Sequence, residues 1–191
     1  MGETRLDISH PLRRLFRAAL AQSAAYTPEL REKPQLSAYL EEEVLCRFLH
    51  ADMLWRLRDA RGRRLEDVAD MLAEADALHG APSYDREFSM HKHIGDYTLF
   101  MLGLFAQYLR RKRGKELLLG ALVVPGGTLA ELYALQGSRS YQVASVLSGQ
   151  ALYRDLSEHY EALRGALEMV RIYLEACREG TYQRARELLI D

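Results

Sequence analysis

The sequence is poor in cysteine, in proline and in charge of one sign, and it has no apolar run long enough for a bilayer. It holds only two cysteines, Cys46 and Cys177. Small secreted domains that rely on disulfides carry more, at framework spacings, so both are read as reduced core residues of a cytosolic protein. Lys and Arg number 26 against 27 Asp and Glu, a net charge of −1. A polyanion-binding domain leaves a basic footprint, so no nucleic-acid partner is expected. The N-terminal stretch "MGETRLDISHPL" has neither an apolar region nor a small-residue cleavage site, and it is not read as a signal peptide. Its Met-Gly start lacks the Ser or Thr of a myristoylation site, since Leu6 stands there.

A long apolar stretch lies in "MHKHIGDYTLFMLGLFAQYLRR", Met90 to Arg111. Only 13 residues separate Asp96 from Arg110, whereas a spanning helix needs about 20. The stretch is therefore read as a buried core helix near 86–112, with no membrane contact. Catalytic signatures are missing as well. The sequence has no Gly-x-Gly-x-x-Gly, no phosphate-loop Gly-Lys-Ser/Thr, no Gly-x-Ser-x-Gly and no His-Glu-x-x-His.

What is present is helical periodicity. The five prolines all fall where a helix can start or a connection can run. A helix is expected to about Ala24 after a Ser9 cap, with one short turn after Thr27. A long helix capped by Ser37 should run to Gly62, and another from Leu65 to His79. The central segment should reach Arg113. "KELLLGALVV" is read as helix, and "PGG" as the clearest break. Thr128 should cap a helix that stops at Gly137, followed by a short one. A long helix should then run to Gly180. No segment alternates as a strand would. The expectation is an all-α bundle of seven to nine helices in one domain, 1–191.

Leu156, Tyr160, Leu163, Leu167, Val170, Leu174 and Cys177 alternate steps of four and three, the spacing of a packed seam. A contact inside the bundle is favoured over a seam between subunits. Together with the many apolar helix faces, the pattern still leads to the expectation of a two-fold homodimer, the commonest oligomer.

Candidate site residues come from polar positions on apolar helices. Glu43, Arg47 and His50 lie along one side of the Ser37 helix. Glu87 and His91 share a face of the central helix, which Thr98 continues. His93 and Asp96 share another. His159 stands at the edge of the seam. His91 and His93 point roughly 200° apart on a regular helix, so they cannot grip one ion. Gly95 and Gly103 offer room for a second helix, against a cost of about 1 kcal/mol each. Two readings follow for Glu43, Arg47, His50, Glu87, His91 and His159. The first is a buried polar network or ligand site in a binding protein, whose partner is a protein, itself or a small molecule. The second is a metal- or cofactor-dependent enzyme of helical-bundle type, with Glu87, His91 and His50 as the metal candidates. The Glu-x-x-His pair of dimetal bundles is absent, so binding is favoured over catalysis. His50 and His91 should be buried on facing helices, with Glu43 or Glu87 beside one of them.

"HKHIGDYTLFMLGLF", His91 to Phe105, and "GSRSYQVASVL", Gly137 to Leu147, resemble segments of uncharacterised bacterial all-α proteins. The resemblance covers about the middle half of the chain. It implies an all-α fold and no activity or residue role.

Overall fold

The computed structural model describes residues 11–48, 51–54, 56–59, 61–78, 84–111 and 128–177, with the single positions 180, 183 and 187. Among these the fold is all-α, and the one departure is an isolated antiparallel bridge between Arg58 and Arg64. His50, "KELLLGALVV" and "PGG" lie outside the described residues, as do Ser9, His79 and the Met-Gly start.

Helix α1 spans Pro11–Ala24 and buries Leu12, Phe16, Ala19, Leu20 and Ser23. Helices α2, Pro28–Glu32, and α3, Pro34–Tyr39, each begin with proline. Proline's fixed φ suits the first helical position, where its missing N–H is no loss. That is why the helix expected to start at Ser37 starts at Pro34 instead. It then widens into a π-helical segment, Leu40–Cys46, a rare geometry that is frequent at functional sites.

The same helix does not reach Gly62. Helix α4, Ala51–Leu54, is followed by a tight turn. Asp59 Oδ1 accepts from the backbone N–H groups of Arg61 at 2.8 Å and Arg63 at 2.9 Å. Gly62 supplies the left-handed φ of 79°. A short acidic side chain that bonds the backbone this way competes with helix continuation. Helix α5, Val68–Leu78, buries Val68, Met71 and Ala75, and Leu65 is buried ahead of it.

Helix α6, Tyr84–Leu104, is the centre of the molecule. It packs against α5, the π segment and two later helices, and from Met90 to Leu104 only Lys92 escapes full burial. Helix α7, Ala106–Arg111, continues it after a break at Phe105. No helix among the described residues is long and apolar enough to cross a membrane.

Helix α8, Leu129–Ser148, starts with a full capping box, in which Thr128 Oγ1 accepts from Glu131 N and the Glu131 carboxylate from Thr128 N. Gly137 does not stop it. Any Cβ there would overlap Thr98 and the Tyr160 ring, so the glycine marks a close crossing and not an end. The true stop is Gly149, at φ 67°. The next expected helix is two: α9, Ala151–Glu158, and α10, Tyr160–Ala176, broken at His159.

The seam residues Leu156 through Leu174 are all buried within the chain, with α10 packed on α1 and α6. Cys177, read as its last core position, is exposed; α10 has ended one residue earlier. Cys46 is buried, and burial pushes its thiol up to about 11. The glycines of α6 do as expected: a Cβ on Gly95 would strike the Tyr141 ring, and one on Gly103 the Leu167 side chain.

Candidate functional site

The polar centre of the bundle is built on one side of α6. Lys92 and Asp96, one helical turn apart, pair through Nζ and Oδ2 at 2.7 Å. Asp96 Oδ1 also accepts from the Tyr39 hydroxyl of α3 at 2.6 Å and the Tyr141 hydroxyl of α8 at 2.9 Å. Lys92 Nζ donates further to Glu43 Oε2 of the π segment at 2.9 Å and lies 5.1 Å from the centroid of the Tyr39 ring. Glu43 Oε2 in turn accepts from Arg47 at 2.7 Å. Two carboxylates and two cations thus balance in one chain of contacts that ties α3, the π segment, α6 and α8 together.

The protonation states follow from this geometry. Burial drags the Lys92 ammonium down, but Asp96 and Glu43 outweigh it and hold the group above the usual lysine value. Burial likewise pushes the Glu43 carboxyl up, and Lys92 and Arg47 bring it below its ordinary range. The Tyr39 and Tyr141 hydroxyls sit well above the usual tyrosine value, first from burial and then from the Asp96 charge beside them. Both remain neutral donors.

The expected Glu43–Arg47 pair is present. The expected meeting of the Glu43 helix with α6 also occurs among the described residues, through Lys92 on Glu43 and through the His93 ring 5.4 Å from that of Phe48. His91 turns the other way. It is buried against α8, with Nδ1 3.4 Å from Ser140 Oγ. Ser140 is itself buried in the middle of α8. Glu87 is buried on the same helix as His91. Thr98, further along that face, donates to the Ile94 carbonyl at 2.8 Å and accepts from Tyr160 at 2.8 Å. The expected facing pair of His50 and His91 rests on a residue outside the described set.

The histidine that does face the α3–α4 side is His93. Its Nδ1 accepts from Arg56 Nε at 3.1 Å, and its Nε2 donates to the Leu54 carbonyl at 3.2 Å. That carbonyl belongs to the last residue of α4, one of the acceptors a helix end leaves open. Burial, then the Arg56 charge, holds the ring well below the usual histidine value, so it is neutral.

His159 is apart from this centre. It sits at the α9–α10 break, with Nε2 3.1 Å from Lys33 Nζ. The same ammonium pairs with Asp155 Oδ1 at 2.5 Å.

Sequence reasoning missed Lys92 and Asp96 as a pair, although a lysine and an aspartate four apart on a buried helix are a readable signal. Tyr39 and Tyr141 had none, because a buried tyrosine reads as ordinary core. Comparison of the chain with protein-family models, with curated proteins and with solved structures finds no match.

Proposed function

We propose that the protein is a cytosolic helical binding protein, working through a protein partner, a second copy of itself or a small molecule held in the bundle, rather than through catalysis. The support is the closed polar centre. Asp96 takes three donors, Lys92 spans two carboxylates and Glu43 takes two cations. A general acid, base or nucleophile has to reach a reacting atom, and these groups are committed to each other. Such a network fixes how helices dock, which suits a rigid binding scaffold.

Burial of Glu87 and His91 on one helix favours a second reading, a metal- or cofactor-dependent enzyme. Metal analysis and an absorbance spectrum of the untagged protein separate the two. The expected result is neither stoichiometric metal nor chromophore. Bound metal that disappears in His91→Ala would establish the enzyme reading instead. Self-association is tested by light scattering across micromolar concentrations. Twice the chain mass of 21.9 kDa is expected for the homodimer, and a constant single-chain mass rejects it. Because the α9–α10 seam is spent inside the chain, any such dimer uses another surface.

A further inference from the structure

We infer that two copies of the chain meet through the outer face of α8, crossing antiparallel about a two-fold axis at Leu135, with Glu131 of each copy paired to the partner's Arg139. The inference rests on the self-association reading above and names its surface. Helix α8 is two-sided. Tyr133, Gly137, Ser140, Tyr141 and Ala144 turn inward, and α6 is the helix it packs on most. Glu131, Leu135, Arg139, Gln142 and Val146 are exposed, at steps of four, four, three and four. At ~100° per residue those steps keep all five within a strip about 80° wide. Leu135 stands at the middle of the strip and is 39% exposed, and Val146, further along it, is 80% exposed. Apolar surface of this kind gains free energy when a second surface covers it.

Charge selects a second copy as that surface. Glu131 and Arg139 stand four residues before and after Leu135, about 6 Å to either side along the helix. In a two-fold interface residue i meets j and j meets i. An axis across the helix at Leu135 reverses the partner's direction, so Leu135 meets its own counterpart and two Glu131–Arg139 contacts form. A parallel pairing would set like charges against each other, which is unfavourable. One level further out, Thr128 opposes the partner's Gln142, polar against polar.

Both charges are available for the contact. The capping box engages Glu131 through Oε2, which leaves Oε1 on the same carboxylate to accept. Arg139 has no ion-pair or hydrogen-bond partner among the described residues, whereas Arg164 and Arg171 of α10 are paired within their own helix. A guanidinium presents a fork of donors that matches a carboxylate.

The test is a charge exchange on the full chain, read by light scattering at micromolar concentration, with circular dichroism to confirm folding. Wild type is expected at twice 21.9 kDa. Arg139→Glu alone and Glu131→Lys alone should each fall to the single-chain mass, because each sets like charges against each other across the axis. An equimolar mixture of the two variants should regain the doubled mass, since every contact in the mixed pair joins opposite charges. A dimer that survives Arg139→Glu, or two folded variants that stay single when mixed, overturns this surface and leaves self-association standing. A wild-type chain of single mass removes the self-association reading and the surface with it. Should Glu131→Lys lose its fold with its cap, Leu135→Arg decides, since it keeps the capping box: single chains are expected, and a persistent dimer overturns the surface.

Discussion

Lys92 is the residue on which the centre turns. It is the one incompletely buried position between Met90 and Leu104, and it satisfies two carboxylates at once. Removing one member of a buried ion pair leaves the other's charge without compensation, a loss of roughly 3–5 kcal/mol, whereas exposed pairs contribute about 0–1 kcal/mol. Lys92→Met is therefore expected to lower unfolding stability by about 3 kcal/mol in urea titrations. Arg164→Met, which breaks a surface pair with Glu161, should change it by less than about 1 kcal/mol. Equal losses for the two would show that the central network contributes no more than a surface pair. Tyr39 and Tyr141 act at the same scale. Each delivers a hydroxyl to Asp96, and nothing in the sequence distinguishes them from the other buried aromatics.

Among the elements, the crossing of α6, α8 and α10 depends on glycine in one place and merely tolerates it in another. Gly137 lies where a methyl group would meet Thr98 Oγ1 and the Tyr160 hydroxyl, whose own bond at 2.8 Å fills the gap. Gly165, inside α10, has nothing within 4 Å of a Cβ. Alanine is worth about 1 kcal/mol over glycine in a helix interior, and overpacking costs about 1–3 kcal/mol. Gly165→Ala should thus raise the melting temperature, and Gly137→Ala should lower it despite the same propensity gain. Thermal unfolding by circular dichroism reads both signs. A stabilised Gly137→Ala would mean that the Tyr160–Thr98 contact yields easily. A glycine within a helical pattern looks the same in either role, which is why Gly137 read as a helix stop: its neighbours come from positions 98 and 160.

For the whole molecule, the perturbed groups set a pH window. The neutral His93 ring has a folded value well below its ordinary 6.5. Below pH 6.5 the unfolded chain takes a proton there that the folded chain refuses, so stability falls with falling pH, by up to about 1.4 kcal/mol per unit. Glu43, lowered from 4.5, adds a second loss in more acid solution. On the alkaline side Tyr39, Tyr141 and Lys92 are raised above their ordinary values of 10.0 and 10.5. Their contribution is complete below those values, and it is lost as pH rises toward the folded ones. Cys46, raised from 9.0 to about 11, begins the alkaline loss, so urea midpoints should be highest between about pH 7 and 9. The fall below pH 6.5 should flatten in His93→Gln. An unchanged slope in that variant would assign the acid loss to other groups.

Sequence alone determined the class of the fold and the depth of its central helix. Periods of three and four and the Thr128 cap are local signals, read within a few residues of where they act. The short apolar length between Asp96 and Arg110 likewise settles the helix as core by dimensions alone. The seam from Leu156 to Leu174 was legible as a packing face, because a step pattern records that a stripe is apolar. It does not record against what: a contact inside the bundle was favoured, and only the tertiary structure named α1 and α6 as the partners. The site was legible in part for the same reason. Glu43–Arg47 is a contact within one helix, and spacing reveals it. Lys92 reaching Glu43, 49 residues away, or Tyr141 reaching Asp96, 45 residues away, depends on how helices rotate and cross. That rotation is decided by volumes, by the glycines that permit close approach and by the need to pair every buried charge at once, and no stretch of sequence contains all of those terms.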